Sequence, residues 1–182
     1  MNVATTPFEG TFTADPAHSS FQAAVSHMKV GRFRTSFGDV DARLVADDSG
    51  VELEGAARVE SISIQNPPEF RDHVVRSEDF FDADRHPEIA FRSTEIDLAD
   101  DGTLRLAGEL TIKGRTGSIE ATGTWREPVE DPYGSVRTAM ELSTTVDRRD
   151  YGIDWQAPLP KGGDVLGWEV ELSVHLELVR GR

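Results

Sequence analysis

Apolar and polar residues alternate with a period of two over most of the chain. Phe21, Ala23, Val25 and His27 stand on one side of the first clear run, with Gln22, Ala24, Ser26 and Met28 on the other. Val40, Ala42 and Leu44 alternate with charged residues. Val51, Leu53, Gly55, Ala57 and Val59 alternate with Glu52, Glu54, Ala56, Arg58 and Glu60. The same pattern recurs at Leu104–Ile112, Ile119–Trp125, Val136–Val146 and Val170–Leu178. Successive side chains of a strand point to opposite faces, so each run predicts a strand with one buried and one wet face. Polar turns separate the runs: Asp47-Asp48-Ser49-Gly50, Asp100-Asp101-Gly102, Lys113–Gly117 and Glu130–Gly134. Turns this short favour antiparallel hairpins over helical crossovers. The pattern predicts an all-β chain of roughly eight strands, closed as a barrel or stacked as a sandwich.

One segment breaks the pattern. Asn66–Phe91 opens on Pro67-Pro68, continues as two short amphipathic turns, sets Phe80-Phe81 between acids, and runs through His86-Pro87 into a strand. We expect a short helical insert around 66–82, with 66–91 covering the barrel, and a covered barrel suggests a container. Ala23, Gly55, Ala57, Gly108, Ala121 and Gly123 on the inward faces leave volume. Phe12, Phe33, Phe37, Phe91, Trp125 and Trp168 are the side chains available to fill it. Barrels of about eight strands are either filled or hold one small ligand, and the pattern leaves both open. The Pro/Gly-rich stretch Trp155–Asp164 is expected to close a rim.

Composition narrows the function. The 182 residues read as one domain spanning 1–182. Acids outnumber bases 33 to 19, for a net charge of -14. Nucleic-acid binding is disfavoured, because it needs cations that displace phosphate counterions. An anionic membrane surface would repel the chain as well. The absence of cysteine removes disulfides, thiolate metal sites and cysteine nucleophiles. Met1–Phe12 shows neither a basic n-region nor an apolar h-region, and no apolar run matches a bilayer span. The expectation is a cytoplasmic protein without stable membrane insertion.

Few residues suggest chemistry. His27 shares a face with Phe21 and Val25 and should point inward, as a satisfied core histidine, a contact for a polar head group, or an acid/base. His18 and Ser19 are adjacent and so point to opposite faces, which argues against a nucleophile–base pair. Asp15 and Ser19 suit turn capping instead. Asp79, Asp82, Asp84 and His86 lack the glycine and terminal glutamate of a calcium loop and read as a solvated acidic turn. Arg71-Asp72 and Arg148–Asp150 read as structural ion pairs, with head-group recognition by Arg71 or Arg148 as the alternative. Phe80 and Phe81, if helical, cannot face the same core, so one should plug the barrel and the other line its entrance. No catalytic set, cofactor or metal is expected. By alternation, the inward residues Phe21, Val25, Val59, Phe91, Leu110, Met140, Leu142, Val174 and Leu176 would line a ligand tunnel, with His27 beside it and Phe80 or Phe81 as its gate.

Five stretches in order resemble the YceI-like family. They are Phe12–His27 with Asp15, His18-Ser19 and His27; Gly31-Arg32-Phe33 with Phe37-Gly38; Arg71-Asp72 through Asp79–Asp82 to Pro87–Ser93; Gly108–Thr116; and Tyr133-Gly134 through Arg137 to Val146–Ile153. No one of them is specific, but together they span nearly the whole chain. The resemblance implies a single eight-stranded antiparallel lipocalin-like β-barrel that binds a polyisoprenoid or related amphiphilic lipid, such as an isoprenoid quinone. It also implies a tendency to homodimerise, for which Trp155, Trp168 or the Tyr151–Pro160 loop could supply a patch. The chain departs from the family at Val74-Val75, where a histidine and a leucine are usual, and at Ala23 and Met140, which are usually a larger apolar residue and phenylalanine. Ala23 and Met140 are expected to reshape the cavity, because a smaller residue frees space and methionine adapts to irregular ligands. The competing expectation is an enzyme acting on a lipophilic substrate, with His27 as acid/base.

Overall fold

The computed structural model describes residues 6–181, so Met1–Thr5 of the N-terminal stretch read above lies outside the described residues. Ten strands form one antiparallel sheet: β1 Gly10–Ala14, β2 Ser20–His27, β3 Gly31–Phe37, β4 Val40–Asp47, β5 Gly50–Arg58, β6 Glu88–Leu98, β7 Thr103–Ile112, β8 Arg115–Glu130, β9 Val136–Asp147 and β10 Leu166–Arg180. β1 and β2 lie end to end along one edge of β10, opposite Leu178–Arg180 and Leu166–His175 respectively. β3 and β4 lie end to end against them, β3 on β2 and β4 on β1. The first two arms of the barrel are therefore long strands, each broken once. Counted so, eight antiparallel strands close into a barrel.

The breaks have local causes. At the first, the Asp15 carboxylate accepts from the Ala17 N–H at 3.0 Å. Ser19 Oγ bonds both the carbonyl and the N–H of Glu177, at 3.3 and 3.2 Å, and bridges the interruption. This is the capping role the sequence suggests. A later irregularity falls in β8, where the register shifts between Arg126 and Val129. Pro128 sits inside the shift and has no N–H to give the ladder. Lys113 and Gly114 both take positive φ, 51° and 72°, as a two-residue type I′ hairpin turn requires.

The polarity of the wall follows the alternation. On β5, Leu53 and Ala57 are buried while Glu52, Glu54 and Arg58 are exposed. A barrel embedded in lipid has the opposite arrangement, apolar outside. No helix among the described residues is long and apolar enough to cross a membrane. The pattern-breaking segment contributes one helix, α1, Pro68–Arg76. Proline suits its first turn, because that N–H would be unpaired in any case. α1 turns Val74 and Val75 inward, at 5% and 0% exposure.

The interior divides into two apolar clusters. One is built on Phe12, Leu44, Leu104, Trp125, Met140 and Leu178. The other gathers Phe21, Phe37, Val59, Ile112 and Tyr151 with Val74, Val75 and Phe80 of the covering segment.

Candidate functional site: two apolar chambers inside the barrel

Between the clusters the barrel is hollow. An inner chamber of about 110 Å³ is walled by Leu53, Gly55, Ala57, Phe91, Leu110, Ala121, Leu142, Val174 and Leu176. A lid chamber of about 200 Å³ lies under the covering segment, walled by Val25, His27, Phe33, Phe80, Phe81, Arg148, Tyr151 and Trp155. Phe21, Ile89 and Leu172 line both chambers. Phe21 stacks on Phe37 with ring centres 5.2 Å apart, which holds it at the divide.

Small inward residues explain only part of the hollow. Gly55, Ala57 and Ala121 face the inner chamber and Ala23 the lid chamber. Gly108 leaves no volume, because the Phe91 ring lies where its Cβ would be, 2.5 Å away. Gly123 leaves none either. A Cβ there would run into the Glu141 carbonyl, so this glycine permits close strand approach. The expectation that all six small residues open space is corrected at these two positions.

The lid is an aromatic assembly. Phe80 stacks on Trp155 at 5.6 Å, and the His73 ring meets its edge at 5.2 Å. Phe81 meets Phe37 edge-on at 5.9 Å. Both phenylalanines line the same chamber, against the expectation that they diverge. They sit in the turn that follows α1, not in a helix, so helical geometry does not separate them. At the rim, Phe33 on β3 meets the exposed Phe70 on α1 edge-on at 5.9 Å.

Charges hold the lid in place, through more partners than the Arg71-Asp72 pair expected. Arg71 donates to the Glu60 carbonyl at 2.6 Å and to its carboxylate at 3.0 Å, while Asp72 stands 4.0 Å away. Glu60 also accepts from Arg76 at 2.6 Å, and its carboxyl lies below its ordinary range, mainly through the Arg71 bond. Lys113 donates to the carbonyls of Glu78 and Gly152 and so ties the lid to a hairpin turn. Asp82 is not solvated as expected; it is 5% exposed, has φ +50°, and accepts from Arg85 at 2.7 Å. Arg148 pairs with no carboxylate among the described residues and bonds four backbone carbonyls instead. Arg149 takes Asp147. Trp168 does not fill the barrel, since the Arg148 and Arg149 guanidiniums lie over its ring at 4.2 and 4.7 Å.

Of the twelve residues that the alternation and the lid single out, the structure brings ten to a chamber wall. Phe91, Leu110, Leu142, Val174 and Leu176 line the inner chamber; Val25, His27, Phe80 and Phe81 line the lid chamber; Phe21 lines both. Val59 and Met140 line neither. Val59 belongs to the 3-10 turn Val59–Ser61 that ends the β5 alternation, and it is sealed at 1% exposure. Met140 lies opposite Trp125 and is packed at 1% exposure. Sequence reasoning passed over Ile89, Leu172 and Tyr151 as wall residues. Leu172 sits on the Val170–Leu178 run, whereas Ile89 follows the covering segment and Tyr151 lies in a turn, and neither belongs to a run named above.

Elsewhere, Asp15, His18 and Glu177 bring three ligand-type atoms within 4.8 Å of one another. A cation already occupies that position, because Arg137 meets Asp15 at 2.9 Å, Glu177 at 2.7 Å and Asp131 at 2.8 Å. These bonds hold Asp15 and Asp131 well below the ordinary carboxylate range.

The model of the YceI-like domain family matches residues 12–178. The chain belongs to the YceI-like family. A UPF0312 protein of Staphylococcus aureus is 30% identical over 171 residues, covering 91% of this chain and 95% of the relative. Among solved structures, Burkholderia cenocepacia BcnA superposes with a TM-score of 0.72 at 21% identity, covering 92% of this chain and 99% of that one. A polyisoprenoid-binding domain from Saccharophagus degradans superposes with a TM-score of 0.69 at 13% identity, covering 96% and 100%. At such identities the structural likenesses establish the fold. Within this YceI-like barrel, Ala23 lines the lid chamber, whereas Met140 lines neither chamber. Val74-Val75 forms the buried face of the lid helix, and His73 is exposed with its ring against Phe80.

Proposed function

We propose that the protein is a container: it binds a long apolar or amphiphilic lipid of the isoprenoid class inside the barrel and stores, carries or sequesters it. The observation that carries this reading is the pair of adjoining apolar chambers with Phe21 between them. Burial of apolar surface stabilises a bound chain by about 25 cal/mol per Å², so the walls need no catalytic group to hold one. The isoprenoid class is supported by the family and by the ligand named for the Saccharophagus degradans domain. Ligand pockets begin at about 300 Å³. Each chamber alone, at about 110 and 200 Å³, is smaller than that. A polyprenyl chain would therefore occupy both, with Phe21 swung aside. Phe80 and Phe81 would gate the lid chamber, and the ten wall residues named above would contact the ligand.

This reading makes the protein a binding protein and not an enzyme, and it assigns His27 to the wall. It includes a cytoplasmic location and pairing of two barrels. The test is denaturing organic extraction of the purified protein followed by mass spectrometry, with uptake of polyprenyl and quinone probes measured in parallel. A stoichiometric lipid, or saturable uptake, is the expected result. Neither lipid nor uptake would overturn the proposal.

A further inference from the structure

The 3-10 turn Arg148–Tyr151 gives the lid chamber a polar corner. Residues three apart eclipse one another in such a turn, so Arg148 and Tyr151 share its inner face. They are its buried members, at 4% and 3% exposure, and both line the lid chamber.

Arg148 carries five N–H donors on a fork that stays charged in proteins. Nε donates to the Gly167 carbonyl at 2.8 Å, and Nη1 to those of Ile153 and Trp155 at 2.9 and 2.8 Å. Nη2 reaches only the Leu166 carbonyl, at 3.3 Å. One Nη2 hydrogen has no acceptor among the described residues. Four carbonyls satisfy donors but neutralise no charge, and no carboxylate among the described residues lies within ion-pair distance. A buried cation without a counter-ion is costly.

Tyr151 supplies a second donor. Gly117 shares the inward face of β8 with Ile119 and Ala121, and the Tyr151 hydroxyl lies 2.9 Å from where a Gly117 Cβ would be. The phenol is thus inside the barrel, and it has no hydrogen-bond partner among the described residues. Burial pushes its pKa up, so it remains protonated and donates.

We propose that Arg148 and Tyr151 form a head-group site that accepts an anionic oxygen head, carboxylate or phosphate, of an amphiphile whose tail runs past Phe21 into the inner chamber. A spare charged N–H and a free O–H, with no carboxylate paired to them among the described residues, complement an oxygen anion. The site rests on the container reading and adds the charge of the ligand to it.

The experiment is displacement of an apolar fluorophore from the intact protein by decanoate, decyl phosphate and decanol, which share one tail. At least one anion should bind about tenfold or more tightly than decanol, given the strength of charge-assisted hydrogen bonds. Whether decanoate or decyl phosphate binds better separates the two heads. Tyr151→Phe keeps the ring and its packing; it should weaken the anion by about three- to tenfold and weaken decanol less, because a neutral hydroxyl accepts a weaker bond than an anionic oxygen. Equal binding of all three probes overturns the head-group site and leaves the container intact. An anion preference that Tyr151→Phe does not touch overturns the two-donor site. Failure of every probe, together with failure of polyprenyl uptake, overturns the container reading itself.

Discussion

The two ends of the barrel are built from the same alternating pattern and differ in what meets across the axis. At the closed end, Phe12, Leu44, Leu104 and Leu178 are all at 0% exposure and Trp125 is at 3%. Trp125 also spends its indole N–H on the Ala99 carbonyl at 2.9 Å, so the largest side chain of that end is fixed in direction. At the lid end, Phe33, Phe81, Trp155, Leu166 and Val170 are only partly buried around the lid chamber. Apolar residues at both ends are inward by the same rule. One end interdigitates and becomes core, while the other stacks rings edge to face around a void. Inward is therefore not the same as packed, and the void is what a ligand can use.

The largest expected effects test that contrast directly. Phe12→Ala should cost about 3–5 kcal/mol in denaturant unfolding, the range for a large side chain removed from a tight core. Phe81→Ala should cost only about 1–2 kcal/mol, because its ring already borders open space, and should weaken ligand retention in the uptake assay. Equal costs at the two positions would erase the distinction between the ends.

Two small residues on one inward face sharpen it further. Gly123→Ala should destabilise by about 1–3 kcal/mol, since the new methyl meets the Glu141 carbonyl and the strands must part. Ala121→Leu points into the inner chamber and should change stability by less than about 1 kcal/mol while reducing lipid uptake. Thermal melts and extraction of bound lipid measure both. A strongly destabilised Ala121→Leu would mean that the inner chamber cannot accept added volume.

The smallest effect concerns pH and the charged knot outside the chambers. Arg137 holds Asp15 and Asp131 below their ordinary value of 3.8. Their contribution is complete above that value and is lost as pH falls through the depressed folded pKa. His18 has the opposite sign, because the Asp15 carboxylate raises it above 6.5. Its contribution is complete below 6.5 and fades as pH rises through the raised value. Melting temperature followed from pH 2 to 8 should fall on the acid side, and Arg137→Met should flatten that limb. An unchanged acid limb in Arg137→Met would place the acid sensitivity elsewhere, with Glu60, which anchors the lid through Arg71 and Arg76, as the next carboxyl to test.

Much of this was legible in the chain. Alternation assigned the inward faces of β4, β5, β7, β8, β9 and β10, because a one-residue slip would have put charge in the core. Turn chemistry marked the hairpins, since Gly102 and Gly114 take positive φ, a backbone that most residues avoid. The double proline and the loss of period marked the lid and its helix. Those are local properties, set by neighbours along the chain.

Only the tertiary structure decided what lies across the barrel from each residue. Gly108 looked like space until the Phe91 ring filled it, and Gly123 until the Glu141 backbone closed over it. Met140 looked like a ligand contact until Trp125 met it, and Phe80-Phe81 looked divergent until the turn after α1 aimed both at one chamber. Arg148 had an aspartate two residues away in sequence, yet it bonds carbonyls of Ile153, Trp155, Leu166 and Gly167. Period and turn signals are short-ranged, so the sequence by itself determined which faces are apolar and where the wall folds back. Cavities, partners and unpaired donors depend on closure of the barrel, which joins residues far apart in the chain, and closure decided where the barrel is hollow and which polar groups face the hollow.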